Sequence, residues 1–313
     1  MANDMLPAGI IGFGRVGAAL AGALTQVAHP VVEVAARSAA SRERAEVVLP
    51  GVPVTSPTSV AERAALVFVT VPDAAIRPVV EQLAHLWRPG QIVVHAAGVA
   101  GADVLEPVTR VGGIGLAIHP AMTFSGTSLD VARLRGVPFA IDAPAGFAPL
   151  AEALAVELGG IPFAVGPAAR AAYHAALSHG ANHLVTLIAQ AVDLLAAHGI
   201  DDPAGVLGPL TRVALDNALS GGFAALTGPA ARGDAATLAA HVEALAKWAA
   251  RRGAVVGGAA GGVALDDDAA AALATIAAYR QMAKATLAGA RAAGRISAAQ
   301  TAECTVALGD DPQ

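Results

Sequence analysis

The sequence predicts an α/β chain in which an N-terminal parallel sheet with helices on both faces precedes an all-helical C-terminal domain. Three observations predict it. Short apolar runs alternate with helical stretches from about residue 8 to 166. A glycine-rich turn joins the first run to the first helix. Strand signals then vanish, and helical periodicity takes over from residue 167. Strands first and helices afterward argue for separate domains, 1–166 and 167–313, meeting near Gly166-Pro167.

The expected strands are Ala8–Phe13, Val31–Ala36, Leu66–Val71, Gln91–Ala96, Ile114–Ile118, Val137–Ile141 and Pro162–Val165. Each is short, rich in Val, Ile and Ala, and bounded by Gly, Pro, Ser or Asp. Continuous apolar runs of this kind belong to a parallel sheet covered on both sides. The expected helices of the second half are Ala168–His198, Ala204–Ser220, Asp234–Ala250, Asp268–Ala293 and Ser297–Leu308. Asp234 and Ser297 stand where N-caps belong, and Gly199 and Gly294 where helices end. The Gly- and Ala-rich tract between Arg252 and Asp268 is expected to be a flexible connection.

Composition narrows the function classes. The 313 residues are 55% hydrophobic but only 4% aromatic, so the core must be built from Ala, Val and Leu in close-packed layers. The net charge of -5 and the scattered Lys and Arg give no footprint for nucleic acid. Cys304 is the only cysteine, which excludes an internal disulfide and any cysteine-based metal site and suits a reducing cytoplasm. The apolar stretch Val16–Leu24 lacks a basic region before it, and no apolar segment approaches bilayer length. Neither a signal peptide nor a membrane span is expected.

The sharpest motif is Gly12-Phe13-Gly14-Arg15-Val16-Gly17, the pattern G-x-G-x-x-G between a strand and a helix, with a second strand within about thirty residues. The three glycines serve different ends. Gly12 makes the tight turn, Gly14 lets backbone approach a pyrophosphate, and Gly17 lets helix pack on strand. The free N–H groups at the helix start attract the phosphate charge. This is the fingerprint of a dinucleotide-binding Rossmann domain. An NAD-preferring domain places Asp or Glu at the end of the second strand, where this chain has Arg37 and Ser38, followed by Arg42 and Arg44. Guanidinium and hydroxyl groups suit a ribose 2′-phosphate, so NADP is the expected cofactor. The alternative is a solvated basic loop. Glu33 lies within the strand, too early for the acidic role.

Ligands in open α/β sheets sit outside the carboxyl ends of the strands. Val71, Pro72 and Asp73 are therefore candidates for cofactor contact, although Asp73 fits equally as a helix N-cap. The next strand ends His95-Ala-Ala97-Gly98, and the one after it runs into His119-Pro-Ala-Met-Thr123-Phe-Ser125-Gly126. Ala97 and Gly98 are placed against the cofactor; His95, Thr123 and Ser125 are candidates for substrate. Histidine is the side chain best suited to proton transfer near neutral pH, which makes His119 a catalytic candidate.

These segments, GFGRVGAAL, VTVPDAAI, VHAAG, AIHPAMTFSG, RAAYHAALSHGANHLVTL and LTGPAARGDAATLAAHVEAL, occur in order. Together they resemble the family of Rossmann-like proteins with a C-terminal DUF2520 domain, over nearly the whole chain. The resemblance implies a relative of the 6-phosphogluconate dehydrogenase-like superfamily, an NADP oxidoreductase class, and a homodimer built through the helical domain. His119-Pro120 also resembles a His-Pro element of prephenate dehydrogenases, whose chemistry is one alternative; a non-catalytic NADP-binding sensor or scaffold is another. Many β-hydroxyacid dehydrogenases and ketopantoate reductases carry Lys, then Asn four residues later, on the first helix after the sheet. Here that helix offers Arg170, Tyr173, His174, Ser178 and Asn182 and no lysine, so that general acid does not carry over.

On a helical wheel, Ser178 and Asn182 fall about 40° and 80° from His174 and form one polar stripe. His174, Ser178 and Asn182 are catalytic candidates, or else buried polar groups bonding to neighbouring helices. His179 and His183 fall on the far, solvated side without nearby carboxylates, so no metal is expected. Arg232, in a Gly- and Pro-fixed turn before Asp234, is a candidate to hold a substrate carboxylate, or is an exposed loop arginine. The sequence thus points to hydride transfer between NADPH and a small, anionic carbonyl or imine compound, of which a ketopantoate-type 2-oxo acid is one candidate.

Overall fold

The computed structural model describes residues 5–254 and 266–309. The expected connection between Arg252 and Asp268 falls largely outside the described residues.

Eight strands form one sheet in the order β3-β2-β1-β4-β5-β6-β7-β8. They are β1 (Ala8–Ile11), β2 (Val31–Ala35), β3 (Val54–Thr55), β4 (Leu66–Val69), β5 (Ile92–His95), β6 (Ile114–Pro120), β7 (Pro138–Asp142) and β8 (Ile161–Ala164). Pairing from β3 to β6 is parallel throughout; β7 pairs antiparallel to β6, and β8 parallel to β7. The all-parallel expectation therefore needs correcting at the last two strands, which run the opposite way. The two-residue β3 is too short to leave a pattern in the sequence.

Helices cover both faces: α1 (Arg15–Gln26), α2 (Ala39–Val48), α3 (Pro57–Arg63), α4 (Asp73–Gln82), α5 (Glu106–Thr109), α6 (Leu129–Arg133) and α7 (Ala148–Glu157). Because strand side chains alternate, each central strand feeds two cores. Leu66 and Phe68 of β4 pack with α1 and α7, while Val67 and Val69 pack with α3 and α4. Both faces are dry, which is why the strands read as unbroken apolar runs.

Beyond the sheet come α8 (Pro167–Leu177), a π-helical stretch Ser178–Asn182, α9 (His183–Ala197), α10 (Pro203–Gly221), α11 (Pro229–Arg232), α12 (Ala235–Arg251), α13 (Asp267–Ala292) and α14 (Ala298–Leu308). Residues 1–182 form one compact unit and residues 183–313 another, so α8, placed with the second domain on sequence, packs within the first. In the second unit, Leu238 of α12, Leu287 of α13 and the buried Cys304 and Leu308 of α14 form a core. The Asp234 carboxylate caps α12 by accepting from the Thr237 N–H, and Ser297 and Gln300 make a reciprocal capping box at α14. Gly199 and Gly294 adopt positive φ at helix ends. Among the described residues one helical run, Pro167–Ala197, is long and apolar enough to cross a membrane by length and composition alone, where no segment of that length was expected.

Candidate functional site

The glycine turn opens a crevice at the carboxyl ends of β1, β2 and β4. Gly12 has φ +93°, and a Cβ there would lie 2.8 Å from Val71 Cγ1 and 2.9 Å from the Thr70 carbonyl carbon. A Cβ on Gly17 would lie 2.4 Å from the Gly12 carbonyl oxygen, itself the acceptor of the Thr70 hydroxyl proton. At Gly14, by contrast, nothing lies within 4 Å of a Cβ. Two glycines are needed by the fold, and the third faces open space at the start of α1, where a diphosphate fits against free N–H groups. A Cβ would fill that cradle. Phe13 turns its ring into the core, Val16 in the first turn of α1 packs against the same core, and Arg15 stays exposed against the Gly126 loop.

The crevice is a cavity of about 600 Å³, bordered by Gly12, Gly14, Arg37, Ser38, Val71 and Pro72. Arg37 is exposed at its mouth, beside Ser41 and Thr55, two hydroxyl residues not singled out from the sequence. Ser38 caps α2: its Oγ accepts from the Ser41 N–H and donates to the Ser41 hydroxyl. Arg42 donates to the Ala36 carbonyl and Arg44 to the Phe13 carbonyl, so their guanidinium groups brace backbone. Glu33 is buried and accepts from Thr55, Ser59 and Arg63. No carboxylate of β2 therefore faces a ribose at this mouth. Asp73 is the first residue of α4, exposed, with Pro72 in the N-cap position, which corrects its reading as the cap.

A second cluster lies at the ends of β5 and β6. Gly98 is overlain by two imidazoles: a Cβ there would approach His174 Cδ2 to 2.6 Å and His119 Nε2 to 3.0 Å. The His119 and His174 ring centroids are 6.3 Å apart in an edge-to-face arrangement. His119 Nδ1 pairs with the Tyr173 hydroxyl at 2.9 Å. Beneath them Arg170 is fully buried. Its guanidinium donates to the carbonyls of Ala97, Ala117, Ala140 and Val165, one from each strand between β5 and β8 or its end. Burial first, then the charge of Arg170 and the neighbouring imidazoles His174 and His95, push His119 down to about 4. At neutral pH its ring is therefore uncharged.

Several predicted roles need correction. His95 is fully buried; its Nδ1 accepts from the Ala97 N–H, so the neutral ring donates from Nε2 to the Gly101 carbonyl. Both nitrogens are used by backbone and none is left for substrate. Ser125 donates to Asp130, a buried carboxylate that also holds the Ser125 and Gly126 N–H groups, so this serine closes a loop. Thr123 is exposed on the same connection. Ser178 and Asn182 lie in the π-helical stretch, where the 100° step that aligned them with His174 no longer applies, and Asn182 is exposed. Arg232 is exposed at the end of α11 in the second unit. Sequence reasoning gives Arg170 and Tyr173 no role. Yet with His174 they stand at i, i+3 and i+4 on one helical face of an alanine-rich segment, a spacing that could have found them.

Residues 1–120 match the model of the Rossmann-like domain, and residues 137–254 match DUF2520, a domain of unknown function. Comparison with curated proteins returned no match. Among solved structures, a Bacteroides fragilis protein provisionally named an NADP oxidoreductase is 24% identical, covers 90% of this chain and 98% of its own, and superposes with TM-score 0.70. A Thermotoga maritima protein is 21% identical, with coverage of 92% and 99% and TM-score 0.62. A reductive aminase of Aspergillus terreus, solved with NADPH and ethyl levulinate, is 15% identical, with coverage of 97% and 92% and TM-score 0.54. At such identities the likeness establishes the fold. In order along the chain, then, a Rossmann-like match is followed by a DUF2520 match, the two domains its motifs resemble.

Proposed function

We propose that the protein is an NADP-dependent oxidoreductase that moves hydride between the nicotinamide and the carbon of a small, anionic carbonyl or imine compound. The observation that carries this reading is the open cradle at Gly14, continuous with a mouth where Arg37 stands and Glu33 is turned away. Gly12, Gly14 and the first N–H groups of α1 would hold the diphosphate, and Arg37 with Ser41 the 2′-phosphate. The reduced nicotinamide, when bound, supplies the hydride. His119 and His174 stand over Gly98 at the carboxyl ends of neighbouring strands, where ligands of open α/β sheets collect. There they can hydrogen-bond a carbonyl oxygen or imine nitrogen. The buried charge of Arg170 favours an anionic substrate. The names of two relatives agree, one an NADP oxidoreductase and the other an aminase carrying NADPH.

Calorimetry with NADPH and NADH tests the cofactor. NADPH is expected to bind at least about tenfold tighter, the worth of one charge-assisted contact. Incubation with 4-deuterated NADPH and a panel of 2-oxo acids and imines tests the chemistry, with deuterium expected at the product carbon. Absence of saturable binding by either nucleotide sinks the reading. Binding without deuterium transfer to any compound leaves a nucleotide-binding protein and removes the catalytic part.

A further inference from the structure

The sequence nominates histidines as proton donors, yet His119 is held neutral and a neutral imidazole has one proton to give. The geometry of α8 supplies what is missing. Arg170, Tyr173 and His174 leave the helix on one face, and Tyr173 reaches back to His119 Nδ1 while His119 Nε2 is turned to Gly98. We propose that His119 carries its proton on Nε2, gives it to the developing substrate anion above Gly98, and is resupplied at Nδ1 by the Tyr173 hydroxyl. This rests on the oxidoreductase reading above.

The step balances. Hydride adds to the carbonyl carbon, and the C=O π pair moves to oxygen. That oxygen takes the proton from Nε2, Nδ1 takes the phenolic proton, and the ring stays neutral as its tautomer reverses. Tyr173 is left as phenolate, which water reprotonates because the residue is only half-buried. An alkoxide is far more basic than a phenolate, whose acid has a pKa near 10, so the transfer runs downhill. Passing the proton through without making imidazolium avoids the state that burial and the positive charge of Arg170 oppose. The titratable side chains facing His119 are Arg170, Tyr173 and His174 on α8 and the neutral His95 on β5; Asp142 of β7 supports the charge of Arg170, and its carboxylate accepts the Ala102 N–H. Arg170 acts on Tyr173 in the opposite sense, offsetting part of the desolvation that raises its pKa.

The phenol's role is read in two ways on the whole chain with Tyr173→Phe, which removes one oxygen. Nitrogen-15 NMR of His119 in the nucleotide-free protein near pH 7 reports the tautomer: Nε2–H is expected in the parent, with that preference lost in the variant. Turnover of the parent is expected to be flat between about pH 5 and 8. In Tyr173→Phe it should fall about a hundredfold at pH 7, as loss of a positioned proton donor does, with KM and NADPH affinity unchanged. The remaining rate should rise tenfold for each pH unit downward, because only the scarce imidazolium can then donate. A merely structural tyrosine moves rate without that slope. An Nδ1–H tautomer in the parent, or a variant with the parent's rate and flat profile, overturns the proposal. If no panel compound is turned over, the oxidoreductase reading fails separately, and the tautomer measurement alone decides whether Tyr173 donates to His119.

Discussion

Gly14 and Gly17 stand three residues apart in one turn, yet alanine should do opposite things at the two positions. At Gly17 the new methyl would lie 2.4 Å from the Gly12 oxygen, and backbone cannot yield that distance cheaply. Gly17→Ala should cost about 1–3 kcal/mol, the usual range for overpacking, read from denaturant unfolding. At Gly14, φ is -75° and the space is open, so Gly14→Ala should change stability by less than about 1 kcal/mol. Its methyl would nonetheless occupy the diphosphate cradle and weaken NADPH binding tenfold or more by calorimetry. A Gly14→Ala protein with parental affinity would remove the phosphate from that position. Both glycines were legible, because the pattern names them and the flanking strand and helix explain why each is needed. The histidines were legible only as positions. His95 and His119 both sit at strand ends, but which one turns inward depends on packing around Gly101 and Arg170, contacts between elements that no spacing along the chain records.

Glu33 of β2 is tied to α3 rather than left at the strand's end. Its carboxylate is buried and held by Arg63, Ser59 and Thr55, so the strand that would carry an NAD-selecting acid carries a structural one instead. Glu33→Gln should destabilise the sheet edge by about 1–3 kcal/mol, since it weakens charge-assisted bonds around a buried group. The NADPH-to-NADH affinity ratio should not change, because the group we propose to select the cofactor is Arg37, just past the end of the same strand. If the ratio collapses instead, Glu33 reaches the nucleotide and the assignment of roles along β2 is wrong. The strands and helices themselves were readable because periodicity is local. Three features were not. The direction of β7 depends on pairing with β6, the two-residue β3 has no period, and the π-helical stretch after Leu177 breaks the very repeat by which a helix is recognised.

For the molecule as a whole, α10 raises the question of what covers it. No residue of α9 or α10 is buried. Val206, Leu210 and Val213 lie along one side of α10, with Leu210 69% exposed. Leu215 and Leu219 lie roughly 180° and 220° around the helix from Val206, with Leu219 80% exposed. A helix apolar on opposite sides belongs inside something, and exposed apolar surface on this scale marks an interface. The family resemblance implies a homodimer, so we propose a second copy of the chain as the occupant; a two-fold pairing would let the same residues serve both partners. Sedimentation at micromolar concentration is therefore expected to show a dimer. Leu210→Lys with Leu219→Lys should give a monomer whose circular dichroism is unchanged. A parent that sediments as a monomer at every concentration defeats this expectation. Flotation of that monomer with lipid vesicles would assign the exposed apolar surface of α10 to a bilayer instead.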